Sequence, residues 1–93
     1  MVFAVREGGE SVGNAIGLIE TVGLGAAIAA ADAGLKTAAV SIAGFERTNG
    51  AGMMVVKFRG DVAAVQAAVE AGVCAAEKLS ASVMGHVIPR PAI

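Results

Sequence analysis

The apolar run from Ala15 to Val22, interrupted at Gly17, Glu20 and Thr21, reads as a first strand. From Leu24 to Ala38 the period lengthens. Leu24, Ile28, Ala31 and Leu35 recur at i, i+4, i+7 and i+11, which predicts a helix with that stripe toward the core. Its other faces carry mostly Ala26, Ala29, Ala30 and Ala33, with Asp32 and Lys36 one turn apart. A smooth alanine face with so few charges predicts a second packing surface. Ala39 to Glu46 is a second strand and Met53 to Arg59 a third, with Met54, Val56 and Phe58 inward and Lys57 and Arg59 outward. Gly60 turns the chain and Asp61 is the expected cap of a second helix, whose apolar stripe is Val62, Val65, Val69, Val73 and Ala76. Ser82 to Ile88 is a fourth strand, stopped by Pro89-Arg90-Pro91.

The predicted order is β-α-β-β-α-β. This is an α/β chain of the α+β kind: a ferredoxin-like, four-stranded, mainly antiparallel sheet with two helices on one face. The other face of such a sheet is bare unless something covers it. The expected organisation is an N-terminal extension over residues 1–13 and a single domain over 14–93. The extension holds a short apolar tract, Met1-Val2-Phe3-Ala4-Val5, and a polar, glycine-containing linker.

Between the second and third strands lies Phe45-Glu46-Arg47-Thr48-Asn49-Gly50-Ala51-Gly52-Met53. Asn49-Gly50 between apolar runs signals a hairpin, because both residues tolerate positive φ. Ala51-Gly52 extend the turn into a tip with little side chain, which lets backbone approach a ligand or copies of itself closely.

Composition favours the copies. The chain has 93 residues, 56% of them hydrophobic and only 16% charged, with a mean hydropathy of +0.73. An average soluble domain is about 25% charged, and a small domain has proportionally more surface to cover. Burial of surface against other subunits resolves the mismatch. A membrane does not: the run from Val22 to Ala31 stops at Asp32, short of the roughly 20 residues a spanning helix needs. No signal peptide is visible. A single cysteine, Cys74, excludes an internal disulfide and points to a reducing compartment. With a net charge of −1, scattered Lys and Arg, and three Phe as the only aromatics, a nucleic-acid surface is not expected.

Other motifs reduce to structure. Gly23-Leu24-Gly25-Ala26-Ala27-Ile28 resembles the start of a dinucleotide fingerprint, but Ile28 stands where glycine or alanine is needed and the chain is too short for that fold. It is a strand-to-helix turn, and no cofactor is expected. Arg59-Gly60-Asp61 is a turn and a cap. Cys74 and His86 have no further Cys or His to complete a metal site, and the carboxylates are scattered, so no enzyme is expected.

Four stretches together resemble bacterial microcompartment shell proteins, and within them the single-domain, hexamer-forming class. They are Gly17-Leu18-Ile19-Glu20, Ala31-Asp32-Ala33-Gly34-Leu35-Lys36, Arg59-Gly60-Asp61-Val62 and His86-Val87-Ile88-Pro89-Arg90-Pro91, and the likeness covers nearly all of the chain after residue 13. The resemblance implies a cyclic homohexamer that tiles into the facets of a protein shell in the bacterial cytoplasm. Its implied partners are itself, other shell proteins, enclosed enzymes and small polar metabolites. In that family the loop between strands two and three lines the central pore, which puts Gly50, Ala51 and Gly52 at the constriction, with Thr48 and Asn49 on the approach. Lys36 falls on the family's edge lysine, with Asp32 one turn before it, and Arg90 on an arginine that joins hexamers. The chain departs from the pattern at Ala51, where a serine is usual, in a loop about one residue longer, in the N-terminal extension, and in stopping soon after Pro91. The alternative reading is a ferredoxin-like regulatory module that binds a small effector at subunit interfaces.

Overall fold

The computed structural model describes residues 13–48 and 52–89. The elements are β1 (Ala15–Val22), α1 (Leu24–Thr37), β2 (Ser41–Arg47), β3 (Met53–Gly60), α2 (Val62–Glu77) and β4 (Val83–Ile88). They form one four-stranded sheet in the order β2-β3-β1-β4, and every neighbouring pair is antiparallel. The expected βαββαβ fold is the one observed. β2 starts two residues later than its apolar pattern suggests, because Val40 N–H donates 2.9 Å to the Ala38 carbonyl in the turn that ends α1. A register shift between Ile42 and Gly44 bends β2 at the edge of the sheet.

Strand alternation sorts the two faces. Ala15, Gly17, Ile19 and Thr21 of β1 are buried, and Gly17 and Ile19 pair across the ladder with Phe58 and Val56, which are also buried. Both helices lie on this face. A methyl added at Gly17 would stand 2.6 Å from Val69 Cγ2 and 2.8 Å from Val65 Cγ1 of α2, while one added at Gly34 of α1 would strike the Phe58 ring. The opposite face presents Ile16, Leu18 and Glu20 beside Arg59, Lys57 and Val55 on one flank, and Ile88, His86 and Met84 on the other. Among the described residues no element covers it.

Helix α1 is turned the other way from the expectation. Its core side is Ala26, Ala27, Ala30, Ala31 and Gly34. Of the expected stripe only Ala31 faces in; Leu24, Ile28 and Leu35 are 58%, 53% and 46% exposed. The reason is space. The Phe58 ring fills the layer under Gly34, and α2 crosses so close that a methyl at Gly72 would stand 2.9 Å from the Ala30 carbonyl oxygen. Only alanine and glycine fit between a sheet carrying Phe58 and a helix at that distance. Two stripes with the same helical period coexist on α1, and side-chain size decides which one is buried.

In α2, Val65, Val69 and Ala76 are buried as expected, joined by Ala68 and Gly72, and Val73 packs against the core. Val62 is instead 41% exposed. Asp61 occupies the N-cap position, but its side chain makes no capping hydrogen bond. Its carbonyl accepts the Val65 N–H at 2.8 Å, which starts the helix. Gly60, read as a turn, is the last residue of β3.

Candidate pore loop and lattice edge

The β2–β3 connection leaves the sheet beside the β1–α1 junction. Its stem closes where Thr48 N–H donates 3.0 Å to the Met53 carbonyl, with the Thr48 hydroxyl 3.5 Å from the same oxygen. Gly52, in the turn before β3, is at φ 73°. Its carbonyl accepts the Gly23 N–H at 2.8 Å. Gly23, at φ 99°, has its own carbonyl held by the hydroxyl of fully buried Thr21 at 3.2 Å. Further down the stem Lys57 Nζ donates 2.8 Å to Glu46 Oε2. Of the five residues expected at the pore, Thr48 and Gly52 are both exposed at this stem. Asn49, Gly50 and Ala51 lie outside the described residues.

Two of the three expected edge residues, Asp32 and Lys36, lie toward the other end of α1. Lys36 Nζ is 3.1 Å from Asp32 Oδ2, with the side chains 75% and 59% exposed. Lys36 also lies in the last helical turn, where the helix dipole favours a cation. Arg90 is outside the described residues. At 1.5 Å rise per residue, Leu24 and Lys36 are roughly 18 Å apart along the helix axis. The loop stem and Lys36 therefore occupy opposite ends of one element.

Between those ends lies the surface that the sequence reading placed inside. Leu24, Ile28 and Leu35 form an apolar row on the outside of α1. The signal that would have exposed it is the bulk of Phe58, which leaves no room for leucine or isoleucine beneath the helix.

No acid–base or nucleophilic pair assembles from the two residues with such chemistry. Cys74 is exposed on α2, in the helix layer. His86 pairs with Leu18 on the face turned away from the helices, since the adjacent Gly85 is the position that abuts Val69 and Val73. Among the described residues no three His, Cys, Asp or Glu side chains gather as metal ligands, and no helix is long and apolar enough to cross a membrane.

A family model described as BMC domain matches residues 15–91. The chain belongs to the BMC-domain family. Shell protein PduA of Citrobacter freundii is 51% identical over 77 residues, 83% of this chain and 82% of that protein. Shell protein EutM of Escherichia coli K12 is 48% identical over 77 residues, 83% of this chain and 78% of that protein. Shell protein PduK of C. freundii is 47% identical over 76 residues, 82% of this chain but 49% of that protein. A solved microcompartment protein from Desulfitobacterium hafniense superposes with a TM-score of 0.71 at 36% identity, over 82% of this chain and 41% of the other. The BMC domain described here thus spans about half the length of PduK and less than half of the solved chain. It is the kind of domain that microcompartment shell proteins carry, and the names of these relatives describe shell components, not enzymes.

Proposed function

We propose that this BMC domain closes into cyclic hexamers that tile into the facets of a microcompartment shell. The six β2–β3 loops would frame a pore for passive, selective passage of small metabolites. The observation that carries the reading is the exposed row Leu24, Ile28 and Leu35 on a chain with so little charge. Identical subunits related by rotation bury one heterologous contact per neighbour, and the ring closes when the rotation does. An apolar helix face is a suitable half of that contact. The placement of the loop stem and Lys36 at opposite ends of α1 supports a ring with the loops near the axis and Lys36, Asp32 and Arg90 near the rim. Other shell proteins and the enclosed enzymes would be its partners in the shell, and the domain proper would begin at residue 14, after the extension.

Gly50, Ala51 and Gly52 would line the constriction with backbone N–H and C=O groups and methyls. Exposed N–H groups favour polar or anionic solutes, and the Ala51 methyl, in place of a serine hydroxyl, would make the lining slightly less hydrating. Replacing Ala51 with phenylalanine is expected to cut metabolite flux through intact shells several-fold without changing subunit stoichiometry. Flux equal to that of the unmodified shell removes this loop from the pore.

Lys36→Ala is expected to remain hexameric by native mass spectrometry and to lose extended sheets by electron microscopy. Its exposed ion pair with Asp32 is worth at most about 1 kcal/mol to the fold, so lost sheets would not reflect unfolding. A fall to monomers would move Lys36 from the rim to the ring contact.

A further inference from the structure

Gly23 sits at φ 99° and ψ 145°, close to a region of backbone space that is essentially open to glycine alone. Space does not account for the residue: a methyl placed there meets nothing within 4 Å. Conformation does. Gly23 joins a strand locked by ladders on both sides to a helix whose first turns are held by buried Ala26 and Ala27. With both flanks fixed, φ of Gly23 and ψ of Val22 can change only together, and that pair decides where the N–H of the 22–23 peptide points: at the Gly52 carbonyl, 2.8 Å away.

We infer that Gly23 is a positioning residue for the β2–β3 loop, holding Gly52, and through it the Thr48–Met53 closure, at one height and angle above the sheet. The functional side of this inference rests on reading that loop as the pore; the tether itself stands on the geometry of residues 21–23, 48, 52 and 53. Any side chain at position 23 draws φ toward negative values. The neighbouring elements cannot follow, so the 22–23 peptide turns and its N–H leaves Gly52. The loop is then released without any change to a pore-lining residue. Leu24, the first member of the exposed apolar row, follows directly, so the same peptide links the helix surface to the loop stem.

The test compares full-length Gly23→Ala with Gly25→Ala, a helical glycine whose added methyl also meets nothing within 4 Å. Amide hydrogen exchange at Thr48 reads the tether, and the ratio of glycerol to sucrose flux across intact shells reads the pore. Losing one backbone hydrogen bond should speed Thr48 exchange by roughly tenfold in Gly23→Ala, with a changed flux ratio and an unchanged oligomer. Gly25→Ala should do neither. Thr48 exchange at the unmodified rate overturns the inference. So does faster exchange with an unaltered flux ratio, provided Ala51→Phe still blocks. If neither Gly23→Ala nor Ala51→Phe alters flux while Thr48 exchange rises in Gly23→Ala, the pore reading fails and the tether stands. Should Gly23→Ala not fold, Gly52→Ala probes the other end of the same bond by the same exchange measurement.

Discussion

Replacing Ile28 with lysine is expected to leave a folded chain that no longer assembles. Ile28 lies mid-way along the apolar row and is 53% exposed in the protomer. The core of α1 is built from alanine and glycine on the other side, so the substitution removes nothing from it. Lysine is also at least as good a helix former as isoleucine. In a ring the same side chain would be buried against a neighbour, where an unpaired ammonium costs several kcal/mol after relaxation. The apolar contact it replaces would contribute about half of the 1.5–3 kcal/mol for fully burying an isoleucine, since Ile28 is already half-buried in the protomer. Both losses would recur at every subunit contact of the proposed ring. Native mass spectrometry should show the hexamer replaced by monomer, while circular dichroism keeps its helical and strand signal. A stable hexamer of the Ile28→Lys chain would mean that this face of α1 points away from the ring contact.

Phe58→Ala should act in the opposite order, unfolding the protomer first. Phe58 is the largest fully buried side chain among the described residues. Its ring fills the layer beneath Gly34, and its Cβ lies 3.7 Å from where a methyl on Gly17 would be. Phe→Ala in a core costs about 3–5 kcal/mol, a large share of the roughly 5–15 kcal/mol that typically stabilises a domain. The small residues around the ring cannot reach in to close the cavity. Urea titration of dilute protein should show the midpoint collapsing toward zero denaturant. If the chain assembles as proposed, raising protein concentration should recover part of the loss, because an assembly that binds only folded chains stabilises them by mass action. A midpoint shift worth less than about 1 kcal/mol would mean that the helices settle into the vacated volume.

The two substitutions divide along a line that the sequence showed only in part. β1 and β3 were legible because alternation has one answer once a face is buried: Val56 and Phe58 face in, Arg59 faces out, and Lys57 pairs with Glu46 on the far side. α2 was legible because its valines are its largest apolar residues and its charges mark the outside. α1 was not. It carries few charges, and its alanines and its leucines share one period. The face toward the sheet was decided at position 58, more than twenty residues away in sequence. Asp61 was legible as a cap position but not in the idle role of its side chain. The loop was legible as a hairpin from Asn49-Gly50, yet its tether to Gly23 joins two backbone groups, which no side-chain pattern reports. The assignment of Lys36, Asp32 and Arg90 to an edge came from resemblance, because a solvated ion pair looks the same at a rim as anywhere else.

The meeting of Gly34 with the Phe58 ring has a consequence for how such domains diverge. One position has no side chain and the other has one of the bulkiest, and they share a single volume. Neither can drift alone: a larger residue at 34 collides with the ring, and a smaller one at 58 leaves a hole. Both can change together if the volume passes from strand to helix, with a bulky aliphatic residue at 34 and a valine or alanine at 58. Lineages of this domain should therefore carry the pair in two inverse forms. The mixed forms, large with large or small with small, should be the rare ones.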